Sequence, residues 1–415
     1  MGRRAAYRNP MRFQFIHAAD LHIDSPFDRL GAKDPAIADM FKAAGRKAVE
    51  RLIAETIDSG AKFLVIAGDV FDEDWRDVST GLFFVRELGK LDRAGVKTFI
   101  IKGNHDAASV VSKSLSYPAS VHVFDGRRNQ TQLIEPLRVA LHGRSFSERA
   151  TPDDFLSHYS ARRDDWLNIG LLHTSLEGSP GHNPYAPCTV QDLARFGYDY
   201  WALGHIHAAE IVSREPWIVF PGNLQGRHPR ETGPKGAMRV TVEDGRIAAV
   251  EPIALDAARW AHERVDVADL AEEAIHARIG EALAQAAGAA QGRPLAVRLT
   301  LTGATPAHAG LVARLDDLLA EARARASHAA SDCWVERVRL ETRAPPAPAQ
   351  SEPDALDVAG LLAAVAQDPE FLVAVQALAK SVADKLPPEL TGDFGAVSAA
   401  ERATRALDLL NGARA

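Results

Sequence analysis

Short apolar runs alternate with amphipathic stretches through the first 256 residues, the pattern of strands and helices layered in an α/β sandwich. FQFIHAA at 13–19, KFLVIA at 62–67, VKTFIIK at 96–102, RVALHG at 138–143, LNIGLL at 167–172 and DYWAL at 199–203 read as strands. Between the first two, Ile37, Phe41, Ala44, Ala48, Leu52 and Ile57 recur at helical spacing and predict an amphipathic helix over 36–58. MRVTV and RIAAV flank Glu243-Asp244-Gly245, where the Asp-Gly pair reads as a two-residue hairpin turn.

The pattern then changes scale. Residues 260–343 read as a smaller β-α-β-α-β unit, with helices near 268–288 and 306–327 and strands near 294–302 and 333–341. RAPPAPAQSEP follows, too rich in proline for a helix or a ladder, and reads as an extended linker over 344–353. Residues 354–415 hold two helical stretches. The second starts with Asp368 as N-cap, Pro369 in the first helical position and an acidic first turn at Glu370. Its apolar stripe is Phe371, Leu372, Val375, Leu378, Ala379, Val382 and Leu386. The expected organisation is a domain over 11–256, a small α/β domain over 260–343, the linker, and a helical segment over 354–415.

Composition narrows the class. A chain of 415 residues exceeds one ordinary domain, and 46% hydrophobic with 25% charged residues suits a globular protein with a large core. Cys188 and Cys333 are far apart and outside any CxxC spacing, which argues against a disulfide framework and a thiolate metal site and fits a reducing cytoplasm. No window is apolar enough to span a bilayer, so no membrane partner is expected, and residues 1–10 read as a leader before Met11. The net charge of -7 does not advertise a nucleic-acid binder, and with 16 Lys+Arg against 22 Asp+Glu the deficit of basic residues lies after residue 256. No repeat and no phosphate-loop motif occurs, so the chain has no evident ATPase of its own.

Five motifs follow predicted strands in order: ADLH with Asp20 and His22, AGDV with Asp69, KGNHD with Asn104, His105 and Asp106, LLHTS with His173, and ALGHIH with His205 and His207. Strand ends converge on one edge of an open sheet, so these residues can meet. Two Asp, one Asn and four His form the mixed oxygen and imidazole set expected for manganese, iron, zinc or nickel. A carboxylate can bridge two cations, and a two-metal site suits phosphoryl chemistry. Gly68, Gly103 and Gly204 each precede a proposed ligand, as a turn without Cβ would require. His17 and His142 read as packing histidines. The loop NLQGRHPRETGPKG at 223–236 adds Arg227, His228, Arg230 and Lys235, cations suited to tracking a phosphate backbone without reading sequence.

At these motifs the chain resembles the calcineurin-like metallophosphoesterases over residues 11–256, and within them the DNA-repair nuclease branch of the SbcD and YhaO types. HAADLHIDSPF and PGNLQGRHPRETGPKG are more similar to the YhaO type. The resemblance implies a two-sheet sandwich flanked by helices, a small capping domain over 260–343, and two divalent metals, with manganese foremost. It implies that Asp20, His22 and His207 hold one metal, that Asn104, His173 and His205 hold the other, and that Asp69 bridges. His105, not a ligand, would stabilise the leaving oxygen, with Asp106 orienting it. Implied partners are DNA, an SMC-like coiled-coil ATPase docked on the C-terminal helices, and a second copy of the chain. Two positions depart from the branch: Asp72 stands where some relatives place a histidine, and Asp24 where a glycine often follows DxH. Both exonuclease and endonuclease action stay open.

The leading expectation is a manganese-dependent DNA nuclease subunit. A small-molecule phosphodiesterase or nucleotidase shares the same metal chemistry, and a DNA-end-binding scaffold with little catalysis is the alternative of another class.

Overall fold

A computed structural model describes residues 11–25, 35–72, 78–108, 115–148, 155–176, 186–330, 332–345, 364–365, 367–385, 398 and 402. The first ten residues, Leu386, most of the 344–353 linker and most of the 354–415 segment lie outside them. The chain divides into two compact units, Met1–Trp260 and Ala261–Ala415.

The six apolar runs are strands: β1 (Arg12–Ala18), β2 (Phe63–Ala67), β3 (Lys97–Ile101), β6 (Val139–Gly143), β7 (Leu167–His173) and β8 (Tyr200–Gly204). Strands β4 (Val121–Val123), β5 (Gln130–Ile134), β9 (Glu210–Arg214) and β10 (Trp217–Phe220) join them. The hairpin of β11 (Gly236–Glu243) and β12 (Arg246–Ala254) turns at Asp244 and Gly245, both at positive φ as this turn requires. Two six-stranded sheets result, in the orders β12-β11-β1-β2-β3-β4 and β5-β6-β7-β8-β10-β9.

The inner faces of the two sheets bury one shared core. Phe15, Phe63, Val65 and Phe99 of the first meet Leu141, Ile169, Leu171 and Tyr200 of the second. β2, β7 and β8 are buried along their whole length and β1 from Phe15 to Ala18, which explains why these stretches are mostly apolar rather than alternating. Helices α1 (Pro35–Asp58) and α2 (Val78–Arg93) cover the outer face of the first sheet, with Ala48, Leu52, Phe84 and Leu88 against Ile16, Leu64 and Ile66. The architecture is thus mixed α/β, two sheets with flanking helices.

The second unit is built on a three-stranded sheet of β13 (Arg259–Asp266), β14 (Leu295–Ala304) and β15 (Cys333–Arg343), with β14 central. Counting on from the short helices α3 (Asn104–Ala108) and α4 (Val190–Arg195), its first helix is α5 (Glu272–Ala289). Ile275, Ile279 and Leu283 of α5 pack with Leu299, Leu301 and Val335 of the sheet. The single helix expected near 306–327 is instead two, α6 (His308–Ala313) and α7 (Leu315–Ala329). Arg314 breaks it at φ -122 and ψ 38, and its guanidinium bonds Glu272 at 2.6 Å. Helix α8 (Pro369–Ala383) begins as its sequence suggests, with the Asp368 carboxylate accepting from the amides of Glu370 and Phe371. Among the described residues no helix is long and apolar enough to cross a membrane.

Candidate metal centre

Neighbouring strands deliver the motifs to one edge of the sandwich. β1 leads into Asp20 and His22, β2 into Asp69, β3 into Asn104 at the start of α3, β7 ends on His173, and β8 leads into His205 and His207. The turns that follow are tight. Asp20, His22, Asp69 and His205 have φ of 51, 42, 51 and 99, left-handed values that L-residues with a Cβ rarely adopt. Backbone bonds hold them there: Asp20 N donates to the Gly68 carbonyl at 3.0 Å and His22 N to the Asp69 carbonyl at 3.1 Å. The His205 amide donates to both oxygens of Asp20, at 3.1 and 3.0 Å. Gly204 is required by proximity rather than by φ, since a Cβ there would lie 2.0 Å from the Ala67 carbonyl oxygen and 2.9 Å from His173 Nδ1.

Asp69 is central. Its Oδ1 accepts from the His105 amide at 3.0 Å, while Oδ2 stands 3.3 Å from His173 Nε2 and 4.0 Å from His22 Nε2. On one side Asp20, His22 and His207 bring ligand atoms within 4.8 Å of one another, and on the other Asp69, His173 and His205 do the same. Asn104 Oδ1 lies 3.1 Å from His173 Nε2. All seven side chains are thus gathered at one place.

The second nitrogen of each imidazole shows how the cluster is held. His22 Nδ1 is 2.7 Å from the Asp72 carboxylate and His207 Nδ1 is 2.6 Å from that of Glu231, so both Nδ1 atoms are the protonated donors. Their Nε2 atoms face each other at 3.2 Å, a separation that a proton on His207, raised against burial by Glu231 and Asp20, spans in the absence of a cation. His173 is held likewise: its Nδ1 donates to the Ala67 carbonyl at 3.0 Å, and its Nε2 is turned to the Asp69 carboxylate at 3.3 Å. A divalent cation would take the place of the protons that these Nε2 atoms otherwise bind. Metal-binding histidines are held in this way, their second nitrogen on a carboxylate or carbonyl.

The electrostatics agree. Burial raises the Asp20 carboxyl to about 6, against the pull of His173 and His207. Burial also works to raise Asp69, but His173, His22 and His105 hold it below the usual carboxylate range. Burial opposes charge on His173, yet Asp69 and Asp20 overcome it and lift that imidazole to about 9. The carboxylates draw positive charge into a buried place, and a divalent cation supplies it without protonating a ligand. The donor set fits divalent metals of the borderline class.

Comparison with known proteins agrees with this chemistry. Residues 13–209 match the calcineurin-like phosphoesterase family model, and residues 260–343 match the middle domain of metallophosphoesterase YhaO. The metallophosphoesterase YhaO of Bacillus subtilis is 35% identical over 297 residues, covering 70% of this chain and 72% of its own. The chain belongs to the calcineurin-like metallophosphoesterase family. The DNA double-strand break repair protein Mre11 of Methanopyrus kandleri is 27% identical over 225 residues, which is 49% of this chain and 46% of that protein. A dimetal phosphatase from Danio rerio superposes over 59% of this chain at a TM-score of 0.36 and 10% identity. This metallophosphoesterase is therefore a hydrolase of phosphate esters that works with divalent metal.

The remaining predicted residues lie around the metallophosphoesterase centre in two roles. The His105 ring sits edge-on to His22, 5.2 Å between centroids, with its side chain partly open to solvent. The carboxylate beside its Nδ1 is Asp72, at 3.5 Å. Asp106 instead accepts from the amides of Val70, Phe71 and Gly103 at 2.9–3.1 Å, tying the Asp69 turn to the Asn104 loop. Burial first, and Asp69 second, push Asp106 up to about 7. In the 223–236 loop, Arg227 bonds Ser25 and Asp72 at 3.0 Å each, and Lys235 Nζ bonds the His207 carbonyl at 2.8 Å. His228 and Arg230 are exposed. Sequence reasoning missed Glu231, the buried partner of His207; a lone Glu in a loop of charged residues carries no motif.

Proposed function

We propose that this metallophosphoesterase hydrolyses the phosphodiester backbone of DNA with two divalent cations, manganese foremost. The reading rests on the central Asp69 carboxylate, whose Oδ2 faces imidazoles of both groups, His22 at 4.0 Å and His173 at 3.3 Å. Asp20, His22 and His207 would hold one cation, Asn104, His173 and His205 the other, and Asp69 both. Such a pair neutralises a phosphate and activates a shared water at neutral pH. His105, open to solvent and backed by Asp72, stabilises the leaving oxygen by hydrogen bonding.

DNA as substrate is supported by the similarity to Mre11 and by the exposed side chains of His228 and Arg230 in the loop that bonds His207. With Arg227 and Lys235 engaged inside the fold, Arg230 is the loop cation that meets a backbone, and His228, whose imidazole burial holds below its ordinary value, meets it as a neutral hydrogen-bonding ring. Helix α8 exposes Val373 at 70% and Leu378 at 68%, an apolar surface suited to an SMC-like coiled-coil ATPase that would supply the missing phosphate loop.

The purified protein, loaded with manganese, should be assayed on plasmid, single-stranded DNA and a small phosphodiester. Cleavage of DNA is expected, and His105→Ala should keep its metal while losing roughly 10²–10⁴-fold in rate. Hydrolysis of the small ester with DNA left whole would turn the reading to a small-molecule phosphodiesterase, and DNA binding without cleavage to a scaffold.

A further inference from the structure

Four chain segments meet at the imidazole pair His22 and His207 through one unbroken series of bonds. His22 Nδ1 donates to Asp72 Oδ1 at 2.7 Å, and Asp72 Oδ2 accepts from the Arg227 guanidinium at 3.0 Å. The Arg227 amide donates to Glu231 Oε2 and His207 Nδ1 to Glu231 Oε1, both at 2.6 Å. The contact between the two Nε2 atoms, 3.2 Å, closes the circuit.

Glu231 is buried, and its Oε2 also accepts from Asn223 Nδ2 at 2.9 Å. The His207 carbonyl accepts from the Asn223 amide and from Lys235 Nζ. The loop thus grips His207 at both its backbone and its ring, while the Arg227 side chain grips the partner of His22. The Nε2–Nε2 contact is the one link made by ring nitrogens alone, and it is the place where a cation would act.

We propose that Arg227 and Glu231 are positioning residues that make cation binding between His22 and His207 and the ordering of residues 225–231 a single linked equilibrium. A cation bound by both Nε2 atoms ties the two rings together and draws the circuit tight. By reciprocity, the factor by which the ordered loop strengthens cation binding is the factor by which the cation orders the loop. The loop carrying His228 and Arg230 is then held more firmly when the centre is charged with metal.

This rests on the two-metal reading, so the first measurement is manganese stoichiometry of the wild-type protein by calorimetric titration. Two ions are expected; none would sink that reading and this inference with it. Given two, Glu231→Ala should weaken one ion by roughly 10–100-fold and leave the other unchanged. At half-loading, paramagnetic resonance should show an isolated manganese signal in place of the coupled pair. Glu231→Gln, whose side-chain oxygen still accepts from His207 Nδ1, should recover much of the loss. Hydrogen exchange needs no variant: manganese should slow the amides of 225–231 in the wild type by roughly tenfold or more, and Arg227→Ala should lessen that protection. Two ions bound equally well by Glu231→Ala, or exchange at 225–231 indifferent to manganese, would overturn the inference while leaving the two-metal reading intact.

Discussion

His17 lies on β1 and bridges the two sheets, its Nε2 3.1 Å from the Leu203 carbonyl and its Nδ1 3.0 Å from the Tyr200 hydroxyl. A carbonyl only accepts, so Nε2 carries the proton, Nδ1 accepts from Tyr200, and the ring is held neutral. Burial pushes it from 6.5 down to about 3, against the opposing Leu203 bond. As pH falls the unfolded chain therefore takes up this proton first. The stabilisation is complete above about pH 6.5 and is lost progressively between there and the folded value. At about pH 5 the unfolded ring is protonated and the folded one is not, a loss of about 2 kcal/mol. Urea unfolding in the presence of a chelator, at about pH 7.5 and about pH 5, measures this by comparing wild type with His17→Asn. Titrations common to both proteins cancel in the difference, and the wild-type advantage should shrink by about 2 kcal/mol at the lower pH. An advantage constant to within about 0.5 kcal/mol would refute the assignment of a neutral, buried ring.

Four further outcomes are expected. Gly204→Ala, with its Cβ 2.0 Å from the Ala67 carbonyl, should lower stability by about 1–3 kcal/mol and weaken metal binding; an unchanged melting temperature would contradict that close approach. Asp69→Asn should weaken both metals, and elemental analysis showing one ion retained at wild-type affinity would argue against bridging. Arg230→Ala should lower the log–log salt slope of DNA binding by about one, and an unchanged slope would return the loop to an ordinary solvated turn. Removing residues 354–390 should leave melting and metal-dependent activity in place and abolish co-purification with the ATPase, whereas aggregation would assign α8 to the folded core.

Strands buried on both faces were legible because their apolar runs are nearly continuous, and the Asp244-Gly245 turn because its conformation selects those residues. β4, β5 and β9 were not, since none is apolar throughout and sheet pairing rather than periodicity makes them strands, and β10 was missed because its apolar run, WIVF, is only four residues long. The order of strands in each sheet is likewise a tertiary choice. At the metal centre, residues repeated in short motifs after strands stood out, while the groups that orient them did not. Asp72 registered only as a departure from relatives, yet it holds His22 and neighbours His105. Arg227 looked like a surface cation because sequence gives charge and not the carboxylate it faces. The glycines were legible as needed but for a different reason at Gly204, where two strand ends nearly touch.

The left-handed backbone at Asp20, His22, Asp69 and His205 sets a trap for anyone breeding heat tolerance into this enzyme. Each such residue carries about 1–3 kcal/mol of conformational strain that glycine would relieve. A library ranked by survival at high temperature alone would therefore favour glycine at these four positions, which are among those that gather around the metal. The hardiest survivors would be well folded and chemically inert, so a useful screen must ask for heat resistance and hydrolysis in the same well.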